Sequence, residues 1–322
     1  MGRCLTKLAC DEDYYSTIDS LLMKQLKPDI VHLVTIKPVI YGSLAARAAR
    51  VPAVVAAVSG LGYAFIDQYF EARCLRRLIS TLYRQAFLHP NLKVIFQNED
   101  DKYTLLNLDA LKENQSILIR GLGVDLTEYK WTPEPKTRPL VVVMAARLLR
   151  DKGVIEYVEA AKLLRTKGIN ARFLLAGLVD PDNPSSINKK QLAEWVKASD
   201  IEYLGYRTDM PQLFSQAHVV VLPSYREGFP RVLAEAAACG RAIVTTDVPG
   251  CRAALIPDKT GLLVKVNDPS SLAKAIYTLL INNSLRNTMG AEGRKLAENK
   301  FNITKIVAEH MTIYDKVMKP LC

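Results

Sequence analysis

The chain lacks any apolar run long enough to cross a bilayer. Its best candidate, Val51 to Val58, is broken by Pro52 and falls short of the ~18 residues a span needs. The opening residues Met1 to Leu8 are mixed in character and lack the apolar centre of a secretory leader, so none is expected. Histidine is scarce. None of the four has a partner at the spacing of a catalytic triad or a metal site; His32 reads as core and His218 as structural. Six cysteines are scattered without a CxxC pair, which removes zinc and redox motifs and suggests reduced thiols in a cytosolic protein. Cys239 and Cys251, at helix ends, read as inert. Short-period repeats and low-complexity segments are absent. So are zinc-finger spacing and an RNA-binding aromatic signature, so nucleic acid is not an expected partner.

What is present is a globular composition over 322 residues, enough for one large or two ordinary domains. The net charge is +10, with most of the excess after residue 137. A basic surface of this kind suits an anionic substrate or an anionic lipid. Arg73, Arg76, Arg77 and Arg84 interleave with Leu75, Leu78, Ile79, Leu82 and Phe87. That pattern is read equally as a helix touching a membrane surface and as an ordinary half-buried helix.

Short β-branched runs alternate with helical stretches, the pattern of a parallel α/β sheet built from βαβ units. Strands are expected at 30–34, 53–59 and 93–97, with helices near 42–50, 66–88 and 99–107. A polar, proline-bearing stretch, Trp131 to Pro139, has linker composition and places a domain boundary near residue 135. A second series follows at 140–146, 172–176, 201–204, 219–223, 242–246 and 262–266. Three helical runs close the chain, near 269–281, 284–299 and 303–318. The expectation is two Rossmann-like domains facing across a cleft, 1–135 and 136–302, with 303–322 as a helix crossing back. Ligands in such sheets sit beyond the carboxyl ends of strands, so the residues just after each strand matter most.

One segment stands out, Pro223 to Glu235 (PSYREGFPRVLAE). A buried strand ends, Glu227 and Gly228 fall in a loop, Pro230 suits the start of a helix, and Glu235 lies inside that helix. Eight residues at helical rise span ~12 Å, the order of a sugar nucleotide from ribose to hexose. Between the two carboxylates the helix start offers backbone N–H groups to a diphosphate. A surface Glu beside a capped helix is the plainer reading of either residue alone. Arg147 and Lys152, with Gly153, follow the strand at 140–146, and two cations there can neutralise a diphosphate without a metal. Arg207 and Asp209 follow the strand at 201–204; Asp209 reads as a helix cap, and Arg207 as either a nucleobase contact or part of that cap. Asp180-Pro-Asp182 has the spacing of a metal-holding pair but sits in a proline-rich loop, and a metal is not expected. In the first half, Thr35-Ile-Lys37-Pro38 and Ser59-Gly-Leu-Gly62 each follow a strand. Gly60 and Gly62 suit close approach of a substrate or equally a tight turn.

Glu227 and Glu235, seven residues between them, resemble the signature of retaining glycosyltransferases of family four, which have the GT-B fold. Arg147 and Lys152 match that family's diphosphate-binding pair. Gly121-Leu-Gly-Val-Asp125 resembles its Gly-x-Gly-Val-Asp, and Asp258 to Val264 its Asp-x-x-Thr-Gly-Leu-Leu-Val. The likeness covers roughly residues 28–319. Ile36-Lys-Pro38, Tyr41-Gly42, Ser59-Gly-Leu-Gly62 and Gly250-Cys-Arg252 resemble bacterial enzymes that add an N-acetylhexosamine to an undecaprenyl-diphosphate-linked sugar. Ala253 departs from that subgroup, which commonly has Glu there. The family's opening βαβ unit also has no counterpart before Ile30, so the first domain is expected to be incomplete.

The resemblance implies a glycosyltransferase in cell-surface glycan synthesis. It would use a UDP-sugar donor and a lipid-linked or polysaccharide acceptor, at the inner face of the membrane, without metal or other cofactor. It implies a catalytic role for Glu227, Arg147 and Lys152. Donor contacts would come from Glu235 at the ribose, with Gly228, Phe229, Pro230, Arg231, Arg207 and Gly177. Lys37, Ser59, Gly60 and Gly62 would face the acceptor. Same-face attack would retain the anomeric configuration, the leaving phosphate oxygen taking the acceptor's proton. The alternatives are a truncated chain that binds UDP-sugar but transfers poorly or serves as a partner subunit, and an epimerase or phosphorylase on the same architecture.

Overall fold

The computed structural model describes residues 19–61 and 70–318. They form two compact units. One comprises the residues up to Arg120 together with those from Val307, and the other is Gly121–Ile306. Each has its own hydrophobic core.

The first unit carries a parallel sheet of β1 (Ile30–Val34), β2 (Ala53–Val58), β3 (Leu92–Phe96) and β4 (Ser116–Leu118), in that order. The three longer strands coincide closely with the β-branched runs, and β2 is sealed on both faces, as parallel strands require. Pairing of Val34 with Ala57 brings the loops after β1 and β2 to the same end of the sheet. Residues from the chain's last helix, Ile303–Met318, complete this unit. Asn91 Nδ2 donates to the Val317 carbonyl at 2.7 Å, and His32 Nδ1 lies 2.7 Å from the Tyr314 hydroxyl. His32 is therefore an exposed residue on β1 and not the core residue its strand position suggests.

The second unit holds six parallel strands: β5 (Leu140–Ala145), β6 (Ala171–Ala176), β7 (Glu202–Gly205), β8 (Val219–Leu222), β9 (Ala242–Thr246) and β10 (Gly261–Val264). Their order is β10-β9-β8-β5-β6-β7. The chain winds outward from β5 in one direction, then returns to β8 on its other side, the doubly wound Rossmann order. The switch point lies between β5 and β8, whose residues Val142 and Val219 are paired.

The stretch 131–139 is not a linker between units. The chain passes from one unit to the other after Arg120, and 131–139 is bound to the second unit. Glu134 pairs with the buried Arg286 at 2.6 Å, and Thr132 accepts from the buried Arg241. The Trp131 indole lies where a Cβ on Gly240 would be, 2.5 Å away. Its polar composition reflects these charged contacts. Glu134→Ala leaves the Arg286 guanidinium without a counter-charge, with only neutral partners, the carbonyls of Leu279 and Leu280 and the Asn283 side-chain oxygen. The expected cost is about 2–3 kcal/mol, or roughly 8 °C in melting temperature by calorimetry. An unchanged melting temperature would show the pair to be dispensable.

Candidate active site

The loops that follow β5 and β8, flanking the switch point, are stitched together. Tyr225 N–H donates to the Asp151 carbonyl at 2.8 Å, and Ser224 Oγ to the same oxygen at 3.1 Å. The close fit needs Gly153: its φ is +75°, and a Cβ there would stand 2.1 Å from the Pro223 carbonyl oxygen. Gly250 has a similar place under the second loop, where a Cβ would meet the Glu227 carbonyl at 2.3 Å.

Across this seam Lys152 Nζ pairs with Glu227 Oε1 at 2.6 Å. Their side chains are 18 % and 14 % exposed, so the pair is only partly hydrated. The sequence reading gives these two residues separate tasks; the structure places them in contact. An incoming oxyanion would thus compete with Glu227 for the ammonium.

Beside the seam, beyond the carboxyl ends of β5, β6 and β7, lies a cavity of about 590 Å³. Its volume is in the range of small-molecule sites. Ala145, Ala146, Ala176, Leu178, Met210 and Val232 give it an apolar lining, with Tyr206 beside them. Arg147, Asp180, Arg207 and Glu235 bring charge to it, and Gly177 is also in its lining. Four residues nominated from sequence therefore line one cavity, while Lys152 and Glu227 are not among its lining. Tyr206 and Leu178 are 68 % and 53 % exposed and carry no motif; only their position after strands marks them.

Arg147 is 65 % exposed and holds Asp180 loosely, at 3.8 Å. Such a surface contact contributes little and leaves the guanidinium available. Asp180 is thus an arginine partner. Asp209 does not cap the helix Met210–Ser215 with its side chain, as sequence suggested. Arg207 takes it instead in a two-pronged pair, Nε to Oδ1 at 2.7 Å and Nη2 to Oδ2. The spacing favours this because a planar guanidinium two residues away reaches both oxygens.

Glu235 is buried in the helix Arg231–Ala238 and bonded to Arg231 Nε at 2.7 Å. Burial pushes its carboxyl pKa up, and a hydrogen bond from Tyr129 and the Arg231 charge oppose the rise. Pro230 precedes the helix, which begins at Arg231 directly after the loop that carries Glu227. The Phe229 ring packs edge-on against Phe301 at 5.2 Å and covers Gly121, which has φ +75° and no room for a Cβ. The Gly121–Asp125 segment is a junction. Val124 N–H donates to the Phe301 carbonyl, and Ile303 N–H returns to Val124.

Burial pushes the Cys239 and Cys251 thiols up to about 11 and about 12, in keeping with inert side chains. His218 is buried, accepting from Val141 N–H and bonded to the Pro135 carbonyl, so it is structural. In the first unit, Lys37 follows β1 while Ser59 and Gly60 follow β2, at one end of neighbouring strands. Thr35 beside them has φ +76°, a strained value for a β-branched residue. Gly62 lies outside the described residues.

The family described as "Glycosyl transferases group 1" matches residues 125–296, and "Glycosyl transferase 4-like" matches residues 17–98. The N,N'-diacetylbacillosaminyl-diphospho-undecaprenol alpha-1,3-N-acetylgalactosaminyltransferase of Campylobacter jejuni is 33 % identical over 310 residues, covering 92 % of this chain and 80 % of that protein. The capsular polysaccharide biosynthesis glycosyltransferase CapM of Staphylococcus aureus is 26 % identical, covering 93 % and 80 %. Among solved structures, Anabaena HepE in complex with UDP superposes with a TM-score of 0.74 at 18 % identity, covering 92 % of this chain and 81 % of that one. Sucrose-phosphate synthase from Thermosynechococcus elongatus gives 0.78 at 22 %, covering 94 % and 77 %. The fold is therefore GT-B, with a doubly wound sheet in the second unit and a parallel one in the first. Sequence match across both units, joined to this fold, makes the chain a member of the group 1 glycosyltransferases.

Proposed function

We propose that the enzyme transfers a hexose or N-acetylhexosamine from a UDP-sugar to a lipid-linked or polysaccharide acceptor, with retention, in cell-surface glycan synthesis. The observation that carries this reading is one cavity at a Rossmann switch point with a buried carboxylate, Glu235, and an exposed cation, Arg147, on its lining. Glu235 accepts from the ribose hydroxyls. Arg147 and Lys152 balance the diphosphate as its charge grows on departure, the largest electrostatic demand of the reaction. The amino end of the helix Arg231–Ala238, with Gly228 and Phe229 before it, adds backbone N–H groups. Glu227, held on Lys152, stands beside the hexose. The leaving phosphate oxygen takes the acceptor proton, so the reaction uses neither a protein base nor a metal.

The acceptor is assigned to Lys37, Ser59, Gly60 and Gly62. A lipid-linked acceptor is favoured by the printed activity of the Campylobacter relative. Among the described residues no helix is long and apolar enough to cross a membrane. Peripheral contact at the cytoplasmic face is assigned to the helix Phe70–Ala86, where Arg77 and Leu78 are exposed side by side.

Calorimetric titration with UDP and with UDP-N-acetylgalactosamine, without added metal, tests the donor assignment. Wild type is expected to bind at micromolar strength and Glu235→Gln about 10- to 100-fold more weakly, as for hydrogen bonds lost to a charged group. Equal affinity in a folded Glu235→Gln variant would remove the ribose contact.

A further inference from the structure

We propose that Glu227 tells the intact donor from the spent nucleotide: beside Lys152 it accepts from hexose hydroxyls and repels the free terminal phosphate of UDP, so it promotes product release. This rests on the reading of Lys152 as a diphosphate contact and of Glu227 as the hexose neighbour.

The ammonium assigned to the diphosphate lies 2.6 Å from Glu227 Oε1. Glu227 cannot withdraw, because the loop that carries it is pinned at both ends. Tyr225, two residues before it, donates its N–H to the Asp151 carbonyl at 2.8 Å and its hydroxyl to Glu156 Oε1 at 2.7 Å. Glu156 is buried in the first turn of the helix Val154–Thr166, which starts two residues after Lys152. The Ser224 carbonyl accepts from the buried Thr246 hydroxyl. On the far side Gly250, in the helix Pro249–Ala253, lies close beneath the loop. A Cβ there would stand 2.3 Å from the Glu227 carbonyl oxygen and 2.6 Å from that of Gly228. A rotamer change can turn the carboxylate, but its charge stays beside the ammonium.

What meets that charge depends on the ligand. In a UDP-sugar the terminal phosphate is esterified and singly charged, and the hexose beyond it offers hydroxyls to the carboxylate. In UDP the same phosphate ends freely, and its second ionisation falls at about pH 6. Above that pH it brings an extra charge and no hydroxyl. Like charges repel more strongly in a partly dehydrated site than in water. During transfer the leaving oxygen takes the acceptor proton, so the second charge appears only as that proton passes to water. The repulsion therefore falls on the product and not on the step that makes it.

Calorimetric titration of the full chain near pH 8, where the free terminal phosphate is doubly ionised, tests this. The probes are UDP-N-acetylgalactosamine, UDP, and UDP methylated on its terminal phosphate, which has the donor's charge and no hexose. Arg147 and Lys152 alone would rank UDP above the methyl ester. Wild type is expected to reverse that order, binding the ester about threefold or more tighter. Glu227→Gln keeps the size of the side chain and an acceptor for Lys152. In it UDP should bind roughly tenfold tighter than in wild type and overtake the ester, while UDP-N-acetylgalactosamine binds equally or more weakly. A packing defect would instead weaken all three. A wild type that binds UDP more tightly than the ester overturns the proposal without any variant. So does a folded Glu227→Gln that binds UDP no tighter than wild type. Lys152→Met separates this from the underlying reading. If it binds UDP like wild type, Lys152 does not meet the diphosphate, and the reading fails together with the proposal. If it weakens UDP while Glu227→Gln leaves UDP unchanged, the reading stands and Glu227 has no part in release.

Discussion

Replacing Lys152 with methionine is expected to lower the rate of sugar transfer by about 10²- to 10³-fold, the usual cost of removing one group that stabilises a departing anion. The measurement is single-turnover transfer from UDP-N-acetylgalactosamine to a lipid-linked acceptor. The partly buried pair with Glu227 complicates a single substitution, because the carboxylate is left without its partner at 14 % exposure. Some stability is lost along with the chemistry. The double variant Lys152→Met with Glu227→Gln separates the two, since it removes both charges together. Its melting temperature should recover toward wild type while its rate stays low. A double variant that regained the rate would show that Lys152 serves only to neutralise Glu227.

Gly177→Ala is expected to be the most damaging small substitution in the second unit, at about 4 kcal/mol or more. Gly177 has φ +142°, a region essentially closed to other residues, and an added Cβ would stand 1.8 Å from the Ala146 carbonyl oxygen. That oxygen belongs to the backbone just past β5 and cannot rotate away. Gly177 and Ala146 both line the cavity proposed for the donor, so the strain falls on its wall. Thermal unfolding should show a drop of roughly 10 °C or more, and UDP titration a loss of affinity beyond it. A variant with wild-type melting and binding would mean that the β5 and β6 ends yield far more easily than their packing implies.

The strands were readable where a β-branched run was long and sealed on both faces, as in Leu140–Ala145 and Ala242–Thr246. Ser116–Leu118 escaped because three residues beginning with serine show no periodicity. The role of Trp131–Pro139 is not legible from composition, for a physical reason. A segment that binds buried arginines must itself be polar, and composition alone does not distinguish it from one that binds water. In the site, Glu227, Glu235, Arg147 and Lys152 were visible as a pattern tied to strand ends. Their pairing was not, because Lys152 and Glu227 meet through the adjacency of β5 and β8, which only the sheet order supplies. Asp209 was given to the helix start by position, yet a neighbouring guanidinium offers a carboxylate two bonds where a cap offers about one.

The first unit is discontinuous, drawing its last helix from the residues after Val307, where Tyr314 meets His32 and Val317 meets Asn91. The second unit is a single uninterrupted stretch. Synthesis runs from the amino end and units tend to fold as they emerge. The part made earliest therefore waits longest. Its sheet residues leave the ribosome well before the helix that finishes their packing, whereas the second unit draws on no segment made after Ile306.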